Sequence, residues 1–310
     1  MAFSGGLRER YVAIIGGANV DIRGCPIGRL IERDSNIGTI TRSAGGVGLN
    51  IARNISLLGE QVVMLTALGC DGDSTIIEGV CKNSGIDITR AVRGERTATY
   101  LYIEDELGDM RLAINDMGVC ELIDRAYVAR YAEVIKKAAA VVIDANIDSK
   151  TIAYAALLSK GPVFVDTVSA EKALRVRDAL QFGIHLKPNI LEAGALCDRE
   201  VCDKDGAVAA AKEIIEKGAS DVCISMGASG ALFCSRDECE FLDVQPCNIV
   251  NATGAGDCMS AALVVSYLHG MSARERLKFA QTAAAICMES PMSVNESLSF
   301  EGVLRRALHE

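Results

Sequence analysis

The 310-residue chain has no stretch approaching the roughly eighteen consecutive apolar residues of a membrane-spanning helix, because Asp or Gly interrupts every candidate. No membrane contact is therefore expected. The apolar run at 11–15, which follows Arg8 and Arg10, stops at Gly16-Gly17 and is too short for a secretory signal, so a cytoplasmic location is expected. Basic residues form no stripe. With 32 Lys and Arg against 41 Asp and Glu, the formal charge of −9 disfavours a nucleic-acid polymer as partner, although a mononucleotide remains compatible. Histidine is scarce, with only His185, His269 and His309, and no Cys-x-x-Cys pair occurs. The twelve cysteines are scattered, and the spacings 197–202 and 234–239 fit neither zinc ribbons nor thioredoxin-like motifs. Free thiols in a reducing compartment are the expectation. Internal repeats and Pro/Ser linkers are also missing, so residues 1–310 are expected to form one domain.

The chain is rich in apolar residues, at 50%, and can bury a large core. Short β-branched runs at 11–17, 61–68, 140–144, 163–166, 185–187 and 222–226 alternate with Ala/Leu-rich stretches at 48–58, 149–160, 170–180, 189–197 and 205–217. This rhythm predicts an α/β fold, with a doubly wound, mostly parallel sheet covered on both faces. Two segments, at about 19–42 and 97–116, are extended without following helices. The second carries the turn Glu106-Leu107-Gly108-Asp109 and reads as a β-hairpin. An isolated hairpin is marginal in water, so the two segments should pair into a small antiparallel β lid. Such a lid would cap its own site or clasp a second subunit, and a homodimer through the lid is expected.

In open α/β sheets ligands bind beyond the carboxyl ends of the strands. The residues there are Asn19 and Asp21, Asp144 and Asn146, Asp166, Lys187 and Asn189, then Ser225, Gly227 and Gly230. Each has a plain alternative: Asn189-x-x-Glu192 is also a helix cap with its acid at the third position, and Asp144 or Asp166 suits a turn. Their convergence on one edge favours a site. Two glycine-rich segments stand apart. Ala44-Gly45-Gly46-Val47-Gly48-Leu49-Asn50 is either a tight turn or a place of close ligand approach, and Ile51 occupies the third glycine position of a dinucleotide fingerprint. No Gly-Lys-Ser/Thr occurs, which removes the P-loop. Asn251-Ala252-Thr253-Gly254-Ala255-Gly256-Asp257 precedes a small-residue helix, so the amides of Gly254, Ala255 and Gly256 would form an anion cradle at its positive end. Asp257 beside that cradle is placed to accept a proton from a hydroxyl nucleophile.

The pair Gly45-Gly46-x-Gly48-x-Asn50 and Asn251-x-Thr253-Gly254-Ala255-Gly256-Asp257 resembles the two signatures of the ribokinase-like, or PfkB, carbohydrate and nucleoside kinases, and the resemblance runs from Tyr11 to Leu308. Segments such as Gly17-Ala18-Asn19-Val20-Asp21, Asp144-Ala145-Asn146-Ile147 and Leu186-Lys187-Pro188-Asn189 are more similar to pseudouridine kinases than to ribokinases or fructokinases. The resemblance implies ATP as co-substrate and a magnesium ion. It makes Asp257 the general base and has Gly254, Ala255 and Gly256 hold the transferring phosphoryl group. It assigns Asp21, Gly45, Gly46 and Asn50 to the ribose, and Lys187, Asn189, Ser225, Gly227 and Thr253 to the nucleotide side. Residues 282–288, including Ala284, would line the adenine, and Glu192 and Asp166 would serve magnesium, directly or through water. Some members also bind potassium, and Asn251 stands where many carry Asp, so one anionic ligand for K+ is missing here. Val47 replaces the Lys common in ribokinases, which argues against ribose. Pseudouridine differs from uridine in presenting an N1–H donor, for which Asn19, Thr99, Asn115, Asp116 and Asn146 are the candidate readers. The rival functions are another sugar or nucleoside kinase of the family and a catalytically silent nucleoside-binding regulator.

Overall fold

In the computed structural model, which describes residues 10–309, the β-branched runs form strands and the Ala/Leu-rich runs form the helices that cover them; residues 1–9, with Arg8, and residue 310 lie outside the described residues. In chain order the strands are β1 (Val12–Ile15), β2 (Asn19–Pro26), β3 (Gly38–Gly45), β4 (Val62–Leu65), β5 (Ala67–Gly69), β6 (Val92–Gly94), β7 (Thr99–Glu104), β8 (Met110–Asp116), β9 (Ala140–Asp144), β10 (Val163–Asp166), β11 (His185–Lys187), β12 (Asp221–Ser225), β13 (Ala231–Ser235) and β14 (Cys239–Leu242). The helices are α1 (Val47–Leu57), α2 (Gly72–Asn83), α3 (Arg125–Arg130), α4 (Ala132–Lys137), α5 (Ser149–Leu158), α6 (Ala170–Ala173), α7 (Ile190–Leu196), α8 (Lys204–Glu216), α9 (Ala255–Leu268), α10 (Ala273–Met288) and α11 (Phe300–His309).

Eight strands form the main sheet in the order β14-β13-β12-β11-β10-β9-β1-β4. It is parallel from β4 to β12 and closes with the antiparallel β13 and β14. Successive side chains of a strand point to opposite faces, and both faces are covered. Ala13, Ile15, Val141, Ile143 and Val165 enter one apolar core, while Val12, Ile14, Val142 and Phe164 enter the other. This is why the parallel strands read as continuous apolar runs without alternation. Among the described residues no helix is long and apolar enough to cross a membrane.

The lid is a four-stranded sheet, β3-β2-β7-β8. Its two hairpin pairings, β2 with β3 and β7 with β8, are antiparallel, and the hairpins join through a parallel contact between β2 and β7. Strand β3 continues past residue 42 to Gly45, so the lid runs directly into the first glycine segment. Registration places Ser43, Asp21, Tyr100 and Asn115 on one face, and Arg42, Ile22, Leu101 and Ile114 on the other.

Three expectations need correction. The run 61–68 is two strands, because after β4 the chain leaves the main sheet and β5 pairs with β6. The stretch 170–180 is helical only at α6; a 3-10 segment, Leu174–Phe182, follows and ends at Gly183. There the guanidinium of Arg175 is drawn to the carbonyls of Ala145, Asn146 and Ile147, and that of Arg177 to those of Ala195 and Leu196. Finally, Cys234 and Cys239 form a disulfide. The tight antiparallel turn between β13 and β14 sets these residues directly opposite each other, a pairing that a spacing of five residues does not announce.

Candidate active site

Strand register lines up the charged edge. Asp144 is paired with Asp166, and Asp166 with Lys187, so the last residues of β9, β10 and β11 stand side by side at the carboxyl end of the sheet. All three are buried. Two carboxylates and one ammonium cannot share such a place without further donors, and each carboxylate has them. Asp166 accepts from Lys187 Nζ at 3.0 Å, from Ser260 Oγ at 2.6 Å and from the Val168 amide at 2.9 Å. Asp144 accepts from the amides of Gly17 at 2.8 Å and Asn146 at 2.9 Å. Burial raises the Asp144 pKa to about 6 against the lowering effect of those amides. For Lys187, burial alone would favour the neutral amine, but Asp166, Glu192 and Asp257 outweigh it and raise the ammonium pKa.

Helix α9 supplies the second half of the site. Its N-cap, Gly254, has φ 84°, a left-handed conformation, and a Cβ there would lie 1.9 Å from the Ser293 carbonyl oxygen. Only glycine meets both demands. The turn gives the Ala255 amide a bond to the Ala252 carbonyl at 3.3 Å and leaves those of Gly256 and Asp257 without a backbone partner, as an anion cradle requires. Gly256 is not left-handed, and a Cβ there would meet Lys187 Nζ at 3.2 Å. The lysine therefore lies against the cradle.

Asp257, in the first turn of α9, is half-buried and keeps a face open to solvent, while Asn50 Nδ2 donates to its Oδ2 at 2.8 Å. Protein packed around the remaining faces removes solvation, and the neighbouring Asp166 adds repulsion. The Asp257 pKa rises to about 7, although Asn50 and Lys187 pull the other way. A carboxylate with this affinity for a proton is suited to general-base work near neutral pH. Asn50 itself is buried, and its Oδ1 has no partner. This leaves a buried acceptor beside the candidate base that a hydroxyl donor would satisfy.

The lid brings Asp21 to the same region. Its Oδ1 accepts from Asn19 Nδ2 at 2.6 Å, and burial raises its pKa against that bond. A Cβ at Gly45 would lie 2.1 Å from Asp21 Oδ2, so the lid carboxylate rests on the first residue of the glycine segment. Further out, Asn115 and Asn146 line one cavity of about 650 Å³. Asp116 and Thr99 are paired with each other on the opposite face of the lid strands, so the structure brings Asn115 to this cavity without them. Asn146 is also changed from its expected part, because its Oδ1 is taken by Lys172 Nζ at 2.7 Å and is no longer an empty acceptor.

The plain alternative for Asn189 is realised. Its side chain accepts from the amides of Leu191 and Glu192, and Glu192 returns a bond to the Asn189 amide, a reciprocal cap on α7. The same Glu192 accepts from Thr167 Oγ1 at 2.6 Å and is within electrostatic reach of Lys187. Ser225 lies next to Asn189, bridged to it at the strand ends, and Gly227 and Thr253 are exposed. Of residues 282–288, Thr282, Ala283, Ala285 and Cys287 are buried, while Ala284, Ile286 and Met288 are half-buried, the first two packed against the core. Thr167, Ser260 and Lys172 went unread in the sequence. Ser260 follows Asp257 by three residues on one helix face, a spacing that offered a signal; the other two carried none.

A parallel sheet with charged strand ends, an amide cradle at a helix N-terminus and a carboxylate beside it is an arrangement for phosphoryl transfer to an alcohol. The family model for pfkB family carbohydrate kinases matches residues 9–298, and the chain belongs to that family. It is 36% identical over 305 residues to the pseudouridine kinase of Escherichia coli (strain K12), covering 96% of this chain and 97% of that protein. It is 31% identical over 300 residues to an uncharacterized sugar kinase of the same strain, YeiI, covering 96% of this chain and 83% of that one. A solved Arabidopsis thaliana ribokinase complexed with ribose and ATP shares the fold, with a TM-score of 0.85 at 21% identity over 97% of this chain and 99% of that chain.

Proposed function

We propose that the chain transfers the γ-phosphoryl group of ATP to the 5′-hydroxyl of pseudouridine. The observation that carries the phosphoryl-transfer part is the Asp257 carboxylate, held by Asn50 beside the amides of Gly254, Ala255 and Gly256. In this reading Asn50 Oδ1 and Asp21 receive ribose hydroxyls, and Asp257 takes the proton of the 5′-hydroxyl. The cradle amides and Lys187 bear the charge on the transferring phosphoryl group. The choice of pseudouridine is supported by the 36% relative. A free sugar is the second reading, favoured by the 31% relative YeiI.

Among the described residues no three metal-ligating side chains cluster. Asp166 and Glu192 each accept from three protein donors, which leaves little room for direct ligation. That donor set fits a magnesium ion that keeps its waters and takes its other oxygens from phosphate, with Asp166 and Glu192 holding it through water. Such an ion would neutralise phosphate charge. At the proposed potassium locus, Asn251 Nδ2 donates to the Pro291 carbonyl and Oδ1 accepts from the Thr253 amide. The side chain is engaged in bracing the loop, so we assign no potassium requirement. A homodimer through the lid is supported by the lid's second face, where Ile40, Leu112 and Ile114 are exposed. ADP release measured with pseudouridine, uridine, ribose and fructose tests the reading: turnover led by pseudouridine is expected, turnover led by a free sugar favours the second reading, and no turnover with any acceptor leaves a silent binder.

A further inference from the structure

The cavity shared by Asn115 and Asn146 contains a cation that the proposed chemistry does not use. Lys172, on α6, lines it together with Cys120, Glu121 and Arg175. A volume of about 650 Å³ lies within the range of small-molecule sites. Lys172 Nζ donates to Asn146 Oδ1 at 2.7 Å, and among the described residues it forms no ion pair. An ammonium has three N–H donors, so two remain. Arg175 does not compete for a ligand in this way, since its guanidinium is committed to the carbonyls of Ala145, Asn146 and Ile147. Those bonds, with the Asn146 amide donating to Asp144, fix the backbone that presents Asn146.

The Lys172 contact also fixes what Asn146 can offer. With its oxygen turned to the ammonium, Asn146 can offer only its Nδ2, which also bonds the Asp144 carboxylate, so one amide N–H and the two remaining N–H groups of Lys172 are the donors left for the cavity. Donors side by side favour a ligand oxygen that accepts, such as a base carbonyl, over a ring N–H, which can only donate. In pseudouridine a carbonyl is bonded to the ring carbon that carries the ribose, on the side of the base nearest the sugar. Resting on the reading of this site as a nucleoside kinase, we propose that Lys172 is a specificity-determining residue that binds a base carbonyl, with Asn146 as the partner that aims it.

The test compares two ligands and two proteins by calorimetric binding without ATP. The ligands are pseudouridine and 1-deoxy-1-phenyl-β-D-ribofuranose, which has a ring of similar shape and no carbonyl. Lys172→Met keeps the aliphatic stem and removes the donors. A hydrogen bond from a charged donor leads to an expected loss of about 10- to 100-fold in pseudouridine affinity, with the phenyl riboside changed less than about 3-fold, and in turnover the loss should fall on KM more than on kcat. The phenyl riboside also reports that the variant is folded. Equal losses for both ligands, no loss for either, or equal affinity of the unmodified protein for the two ligands overturns the proposal. The pseudouridine reading fails separately: if the unmodified protein phosphorylates uridine and not pseudouridine, that reading falls, and Lys172→Met must still lose uridine affinity against the same phenyl control.

Discussion

Asp257→Asn isolates the proton acceptor from the rest of the site. The amide has the shape of the carboxylate, and its Oδ1 can still accept from Asn50 Nδ2, now at 2.8 Å from Asp257. What is lost is the ability to take a proton. Removing a general base costs roughly 10²- to 10⁴-fold in rate, about 3–5 kcal/mol of barrier at 1.36 kcal/mol per tenfold. Binding should move little, and ATP affinity should not fall, because one negative charge leaves a region that already holds Asp144 and Asp166. Stability gives an independent check. The folded-state pKa of Asp257 is raised to about 7 from 3.8, so between those values the folded protein holds a proton that the unfolded chain has lost. Stability therefore falls as pH rises through that window, and above it the Asn variant should melt no lower than the unmodified protein. Rapid-quench measurement of the chemical step, calorimetric binding of nucleoside and ATP, and melting at pH 5 and pH 8.5 cover the three expectations. A chemical step within a few-fold of the unmodified rate would remove Asp257 from the role of base.

The remaining predictions probe the neighbours of that carboxylate. The acid limb of kcat/KM should have an apparent pKa near 7, well above an ordinary aspartate, and vanish in Asp257→Asn; a limb near 4 would contradict the crowding described for the site. Gly256→Ala should press on Lys187 Nζ and lower kcat with little change in melting, whereas Gly254→Ala, with φ 84° and the Ser293 carbonyl in its way, should destabilise the fold by at least about 1–2 kcal/mol; chemical denaturation separates the two, and equal destabilisation would make both structural. Asn115→Ala should narrow the preference for pseudouridine over uridine more than Asp116→Ala does, because only Asn115 lines the cavity; competition assays with both nucleosides would expose the reverse order. Leu112→Asp on the exposed lid face should convert a dimer to a monomer in sedimentation, and a dimer that persists would move the interface elsewhere.

The parallel sheet was legible because most of its strands are short, largely apolar runs that end at or beside a polar residue, as in residues 140–144 ending at Asp144. The start of α9 was legible because glycine and small residues at 254–256 precede an apolar, helix-forming run. The antiparallel hairpin β13–β14 was not, since Ala231, Leu232, Phe233 and Cys234 are all buried and lack the alternation that marks a half-exposed strand. The contact between Asn50 and Asp257 spans 207 residues, and only the fold brings the two glycine segments together. Strand alternation had a similar effect on the lid. Asn115 and Asp116 are equivalent polar neighbours in the sequence, yet pleating sends them to opposite faces. Asn146 shows the limit most clearly, because whether it donates or accepts depends on a lysine 26 residues away.

The ratio of kcat/KM for pseudouridine to that for uridine, measured on the unmodified protein with saturating ATP and magnesium, tests the central claim most directly. The two nucleosides share the ribose and differ at the base edge, where pseudouridine offers an N1–H and uridine a C–H. A site built to bond that donor can reject the analogue lacking it by up to ~10⁴-fold. A ratio of at least about 100, with the product identified by phosphorus NMR as the 5′-monophosphate, is the predicted result. Comparable efficiency on uridine, or a higher one on ribose or fructose, would contradict the assignment of pseudouridine.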